Sequence, residues 1–151
     1  MMKMTAFGFS EMNMMETIER IYEANDEYLH DAVSFVEQKL EEHDAGMKQM
    51  MAITVAVEEI FVNIAHYAYE NMDPGQMKIV VSFEGDDVII TFRDHGIPFN
   101  PLAKEDPDVK ASAEERQIGG LGIYMVKKSM DHCEYERKDN ENIFTMRKAI
   151  R

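Results

Sequence analysis

Glu59 and Asn63 stand four residues apart, Asp94 and Gly96 two apart, and Gly119, Gly120 and Gly122 fall within four positions. Each set has a chemistry of its own. A carboxylate and a carboxamide at i and i+4 project from one face of a helix, one turn apart. There Glu59 could act as a general base or hold a water. The Asn63 oxygen could be a neutral ligand for magnesium, an ion that prefers oxygen donors. Asp94 follows the apolar run from Val88 to Phe92 and so stands at a strand end, where its carboxylate could accept a hydrogen bond from an adenine amino group. Gly96 would let that base approach the backbone, with Ile97 and Phe99 flanking the ring. Gly119-Gly120-Leu121-Gly122 opens a helix whose free first-turn amides favour a bound phosphate. It is neither the dinucleotide fingerprint nor a phosphate loop closed by Lys-Ser/Thr. Singly, each set has a blander reading: an exposed helix pair, a turn leaving an edge strand, a loop before a helix. In this order they suggest one ATP site.

The elements that must position these residues are legible from apolar spacing. Residues 1–13 lack periodicity and read as an N-terminal extension to a domain over 14–151. Glu16 to Ala24 reads as a strand with Ile18 and Tyr22 on one face and Ile21 on the other. Asn25 and Asp26 cap a helix to about Glu42, which His43-Asp44-Ala45-Gly46 ends. A second helix runs from about Met47 to Glu70, with Ile53, Val57, Ile60 and Ile64 stepping at three and four residues. Lys78–Glu84 and Asp87–Arg93 form a hairpin across Gly85-Asp86, the second strand apolar enough for a sheet interior. A patternless stretch over 95–118 precedes a helix from Gly119 to about Met130. Two last strands, Cys133–Lys138 and Ile143–Arg147, are separated by Asp139 to Asn142. This order has too few strand–helix alternations for a doubly wound parallel sheet. It predicts an α+β fold with helices on one face of a mostly antiparallel sheet.

Sixteen basic against 29 acidic residues give a formal charge of −13, a surface that repels phosphate backbones and anionic lipid. Nucleic acid and membrane are therefore not expected partners, and a nucleotide would need local donors and a metal ion. The lone Cys133 excludes an intramolecular disulfide and reads as a packed thiol. No stretch reads as the ~20 apolar residues of a membrane span, and Met1 to Met15 lack the parts of a secretory signal. The expected location is the cytoplasm.

Val57-Glu58-Glu59-Ile-Phe-Val-Asn63-Ile-Ala-His66-Tyr67-Ala68-Tyr69 resembles the N-box of the ATPase superfamily shared by gyrase, sensor histidine kinases and mismatch-repair proteins. Asp94-His-Gly96-Ile-Pro98-Phe99-Asn100-Pro101 resembles its first glycine box, and Gly119-Gly120-Leu121-Gly122-Ile123-Tyr124-Met125-Val126 its second. The Pro-Phe-x-Pro ending makes the chain most similar to the bacterial anti-sigma factor serine kinases. The resemblance implies the Bergerat fold, a two-layer α/β sandwich with a mixed, mostly antiparallel sheet and an ATP lid, here about residues 97–118. It implies ATP and magnesium as cofactors. Glu59 would be the general base or water-holder, Asn63 the magnesium ligand and Asp94 the adenine reader. Gly96 and Phe99 would lie at the base, and Gly119, Gly120, Leu121 and Gly122 would shape the phosphate loop. Arg116, four residues before Gly120, would supply a catalytic cation, with Lys104 and Lys110 as weaker candidates. The implied activity is transfer of the ATP γ-phosphate to a serine of an anti-anti-sigma protein by a homodimer that also binds a sigma factor. Two alternatives stand beside it: an ATP-dependent binding module with little or no kinase activity, and a detached histidine-kinase ATPase domain.

Overall fold

The structure is a computed structural model and describes residues 16–69, 75–103 and 121–151. The expected N-terminal extension, Lys104, Lys110, Arg116, Gly119, Gly120 and most of the expected lid lie outside these residues. In chain order the elements are β1 (Thr17–Glu23), α1 (Leu29–Glu42), α2 (Met47–Asn63), β2 (Gln76–Glu84), β3 (Asp87–Asp94), α3 (Leu121–Ser129), β4 (His132–Lys138) and β5 (Glu141–Ala149). The sheet order is β1-β2-β3-β5-β4, and every pairing among these strands is antiparallel. The α+β architecture is as the sequence predicts; among the described residues the pairing is wholly antiparallel, where the resemblance implies a mixed, mostly antiparallel sheet.

Alternation makes the sheet one-sided. Ile79, Val81 and Phe83 of β2, Val88, Ile90 and Phe92 of β3, and Phe144 and Met146 of β5 are buried, while the residues between them are half-exposed. The buried face shares one core with Ala32, Phe35, Val36 and Leu40 of α1, Ile53, Val57, Ile60 and Phe61 of α2, and Ile123 and Val126 of α3. β3 is central, as its apolar run predicts. In β1, Ile18 and Tyr22 pack on the core and Ile21 is exposed, so the odd residue in that pattern points to solvent.

Helix ends follow local chemistry. Asn25 accepts a hydrogen bond from Glu27 N at 2.9 Å and starts a single tight turn that leads into α1. Asp44, not Gly46, takes the left-handed conformation that stops α1, with φ 56°. Asp44 N donates to Glu41 O and Ala45 N to Leu40 O, which satisfies two of the helix's last carbonyls. The helix expected from Met47 to Glu70 keeps regular α geometry only to Asn63, and Ile64–Ala68 widen into a π-type turn. The turn belongs to a tertiary contact: Ala68 O accepts from Ile97 N at 2.8 Å. By length and composition Met47–Ala68 could cross a bilayer, with mean hydropathy 1.2 over its most apolar window, contrary to the expectation from sequence. Here it is a core helix whose Ile53, Val57, Ile60 and Phe61 are buried.

The β4–β5 connection also differs from expectation. Asp139 and Asn140 alone form the turn, both left-handed at φ 52° and 63°. Glu141 and Asn142, read as turn residues in the sequence, are thereby drawn into β5, where Asn142 pairs with Asp94.

Candidate functional site

Asp94 ends β3 with only 3% of its surface exposed. Its Oδ1 accepts two hydrogen bonds, from Gly96 N and from Asn142 Nδ2, both at 2.9 Å. Oδ2 takes part in neither bond. Burial pushes the Asp94 carboxyl above the ordinary carboxylate range, opposed by those two bonds and by the nearby Arg137 and His95 charges. Arg137 Nη1 donates to Gly96 O at 2.8 Å and so braces the same corner.

Asn142 is the residue that the sequence reading missed. Its Nδ2 also donates to Ile97 O at 2.8 Å, and its Oδ1 accepts from Tyr135 OH at 2.5 Å and from Phe99 N at 3.4 Å. One buried amide thus spends both donors and its acceptor on holding Asp94 and the backbone that follows it. The signal was present in the sequence: Asp139-Asn140 between two alternating runs is a two-residue hairpin turn, and it fixes the register that brings residue 142 to residue 94.

Tyr69 does similar work from the other side. Its hydroxyl donates to Gln76 O at 2.5 Å and accepts from His95 N at 2.8 Å, tying the end of the π turn to the start of β2 and the exit of β3. Gly96 is required by this packing. A β-carbon there would collide with the carbonyl and β-carbon of Ala68, so its need comes from the backbone of α2's extension.

Asn63, Asp94 and Phe99 line one cavity, with Ile60, Phe144 and Pro101 among its walls. Asn63 Nδ2 donates back to Glu59 O at 2.8 Å, which fixes the amide and presents Oδ1 as its acceptor end. The space at the cavity centre is only about 20 Å³, room for one water. A purine is several times larger than this space. The chemistry of the lining nevertheless fits: an apolar slot with one carboxylate oxygen to accept an amino hydrogen. Magnesium fits more loosely. Among the described residues no three His, Cys, Asp or Glu side chains cluster as a metal site. The Asn63 amide oxygen is a neutral oxygen donor that could serve such an ion beside phosphate oxygens and water.

Glu59 does not line this cavity. It lies one turn back along α2, half-buried, with its carboxylate against the first turn of α3: a β-carbon on Gly122 would collide with Glu59 Oε2. An acid at a helix start is electrostatically favoured. The contact joins two of the three sequence motifs, and the cavity joins Asn63 to Asp94. α3 is described from Leu121, and the two residues before it lie outside the described residues. His66 lies apart from the cavity, hydrogen-bonded through Nε2 to Asp26 at 2.7 Å. Cys133 is partly buried, its thiol pushed by burial up to about 11, which keeps it protonated and unreactive.

Comparison with known proteins bears on this geometry. The chain is 28% identical over 98 residues to an anti-sigma F factor of Anoxybacillus flavithermus, covering 65% of this chain and 67% of that one. It is 23% identical over 94 residues to the serine/threonine-protein kinase BtrW of Bordetella bronchiseptica, covering 62% and 66%. The chain therefore spans about two thirds of the length of these relatives. Among solved structures, the RsbU and RsbW domains of a Mycobacterium tuberculosis protein superimpose with TM-score 0.64 at 12% identity, covering 89% of this chain and 32% of that one. The histidine kinase-like ATPase domain pattern matches residues 22–148, which take in Glu59, Asn63, Asp94 and the second glycine box, and the chain belongs to that family.

Proposed function

We propose that this chain is an ATP-binding anti-sigma regulator that transfers the γ-phosphate of ATP to a serine of an anti-anti-sigma protein. The observation that carries the reading is the Asp94 carboxylate: buried, held at one oxygen by Asn142 and Gly96, and lining the same apolar cavity as Asn63. Family membership and the names of the relatives support it.

In this reading Asp94 Oδ2 accepts from the adenine amino group and Phe99 covers the ring. The Asn63 oxygen supports a magnesium ion, whose charge, when bound, offsets that of the phosphates. The first-turn amides of α3 bind phosphate oxygens. Glu59 takes the proton of the serine hydroxyl as the bond from serine oxygen to γ-phosphorus forms and the bond to ADP breaks. Arg116 stabilises charge on the transferring group. The partners are a sigma factor and the serine-bearing antagonist. The sheet face opposite the described helices, with Val80, Ile89 and Ile143, offers a surface for pairing two copies, and the working location in this reading is the cytoplasm.

A thermal-shift titration tests the site. Magnesium with ATP should raise the melting temperature of the unmutated chain, and Asn63→Ala should abolish the magnesium-dependent part. Absence of any shift with the unmutated chain would remove the reading. γ-Labelled ATP then tests the activity. Label on a partner serine supports the kinase, whereas ATP binding without transfer would leave a binding module.

A further inference from the structure

A second hollow, of about 290 Å³, runs between α2 and α3 on the outer surface of the helical layer. Met51, Val55 and Met125 line it and are 62%, 53% and 51% exposed. Met47, one turn before Met51 on the same stripe of α2, is 73% exposed. Large apolar side chains gathered at such exposure mark a contact surface, and methionine adapts to differing partners. Glu59 also lines this groove, at the end beside the first turn of α3, while Met51 and Ser129 mark the other end.

We infer that this groove seats the segment of the phosphoacceptor protein that carries the target serine. The inference rests on the kinase reading above. Glu59 carries the argument, because it lines the groove and lies against the α3 turn assigned to the phosphates. A chain in the groove therefore brings a hydroxyl to the carboxylate that must take its proton. The serine oxygen bonds to the γ-phosphorus, the bond to ADP breaks, and the proton passes to Glu59. Met51 and Glu59 are eight residues apart on α2, about 12 Å at the helical rise. The acceptor's apolar anchors then fall within about four residues of the serine if extended, or about eight if helical.

The test uses the full chain with magnesium, γ-labelled ATP and a serine-centred degenerate peptide library. The unmutated chain should select apolar residues within those distances of the serine. Val55→Asp and Met125→Glu, both at exposed positions, should cut labelling of the selected peptides about tenfold and erase the selection. The ATP thermal shift should be unchanged in both. Two results overturn the proposal while labelling by the unmutated chain stands: selection unchanged in both variants, or a change of oligomeric state in Val55→Asp, which would make the groove a contact between copies. ATP binding with no peptide labelled by the unmutated chain strikes the kinase reading on which the inference rests. Increased peptide labelling after deletion of residues 1–15 would give the groove to the chain's own N-terminal segment and overturn it too. Failure of the unmutated chain to shift with ATP is a separate result and strikes the nucleotide reading instead.

Discussion

Asn142 Nδ2 donates to Asp94 Oδ1 at 2.9 Å across the β3–β5 ladder, where the two residues are direct partners. The pair joins positions 48 residues apart and, with Gly96 N, engages one oxygen of the Asp94 carboxylate. Asn142→Ala would take away the partner of Tyr135 OH as a donor and of the Ile97 carbonyl as an acceptor. A loss of about 1–3 kcal/mol in urea unfolding is expected, together with a weaker ATP thermal shift. A variant with normal stability and a normal shift would remove Asn142 from the site.

Asp94→Asn separates binding from stability. Burial raises the Asp94 carboxyl above its ordinary range, so between the ordinary value and the raised one the folded chain keeps a proton that the unfolded chain has lost. Its contribution to stability is therefore greatest at low pH and declines as pH rises through that window. A neutral amide keeps the acceptor for Gly96 and Asn142 but offers the adenine a donor where an acceptor is needed. Without nucleotide the variant should unfold at equal or higher urea concentration at neutral pH, and it should lose the ATP shift. For the unmutated chain, ATP affinity should fall on acidification through the raised value, at a higher pH than for a surface aspartate of pKa about 3.9. Calorimetric titrations at stepped pH would measure it.

Two glycines of the motifs should respond differently to the same substitution. Gly96→Ala drives a methyl group into the Ala68 carbonyl, a backbone contact with no room to yield. About 2 kcal/mol or more should be lost. Gly122→Ala meets only the end of the Glu59 side chain, which can turn aside. Urea unfolding of that variant should change by less than about 1 kcal/mol, while phosphotransfer falls because Glu59 has moved. Equal destabilisation of the two variants would contradict the packing described above.

Much of this arrangement was legible from residue spacing. The alternation in 78–93 gave the central hairpin, and i, i+4 geometry put Glu59 and Asn63 on one face of α2. Asp94 at the end of an apolar run followed by Gly96 located the cavity. Spacing could not reveal what those residues touch. The Glu59–Gly122 contact depends on how α2 and α3 pack, and Gly96 answers to a carbonyl 28 residues earlier. Asn142 was hidden by a two-residue error in turn length, enough to turn a strand residue into a loop residue. The end of α2 escaped because the π turn at Ile64–Ala68 follows from docking on β3, where tertiary contact overrides helix propensity.

Glu59→Gln and Arg116→Ala divide the catalytic reading from the binding one. Glu59 is half-buried on α2 with its carboxylate against α3, and a glutamine keeps its shape while losing the ability to take a proton. ATP should therefore bind Glu59→Gln at least as well as the unmutated chain, since a negative charge near the phosphates has gone. Label transfer to a partner serine should drop by about two orders of magnitude or more. Arg116→Ala should also spare the thermal shift while slowing transfer, because its proposed role lies with charge that develops on the transferring group. The pair is informative together. If both variants transfer label at the unmutated rate, neither residue acts in the chemistry and the base and the cation must both be sought elsewhere; ATP binding with no transfer even by the unmutated chain would instead leave a nucleotide-responsive binding module. If only Glu59→Gln fails, the base stands and the cation near the γ-phosphate must be sought among other residues, beginning with Lys104 and Lys110.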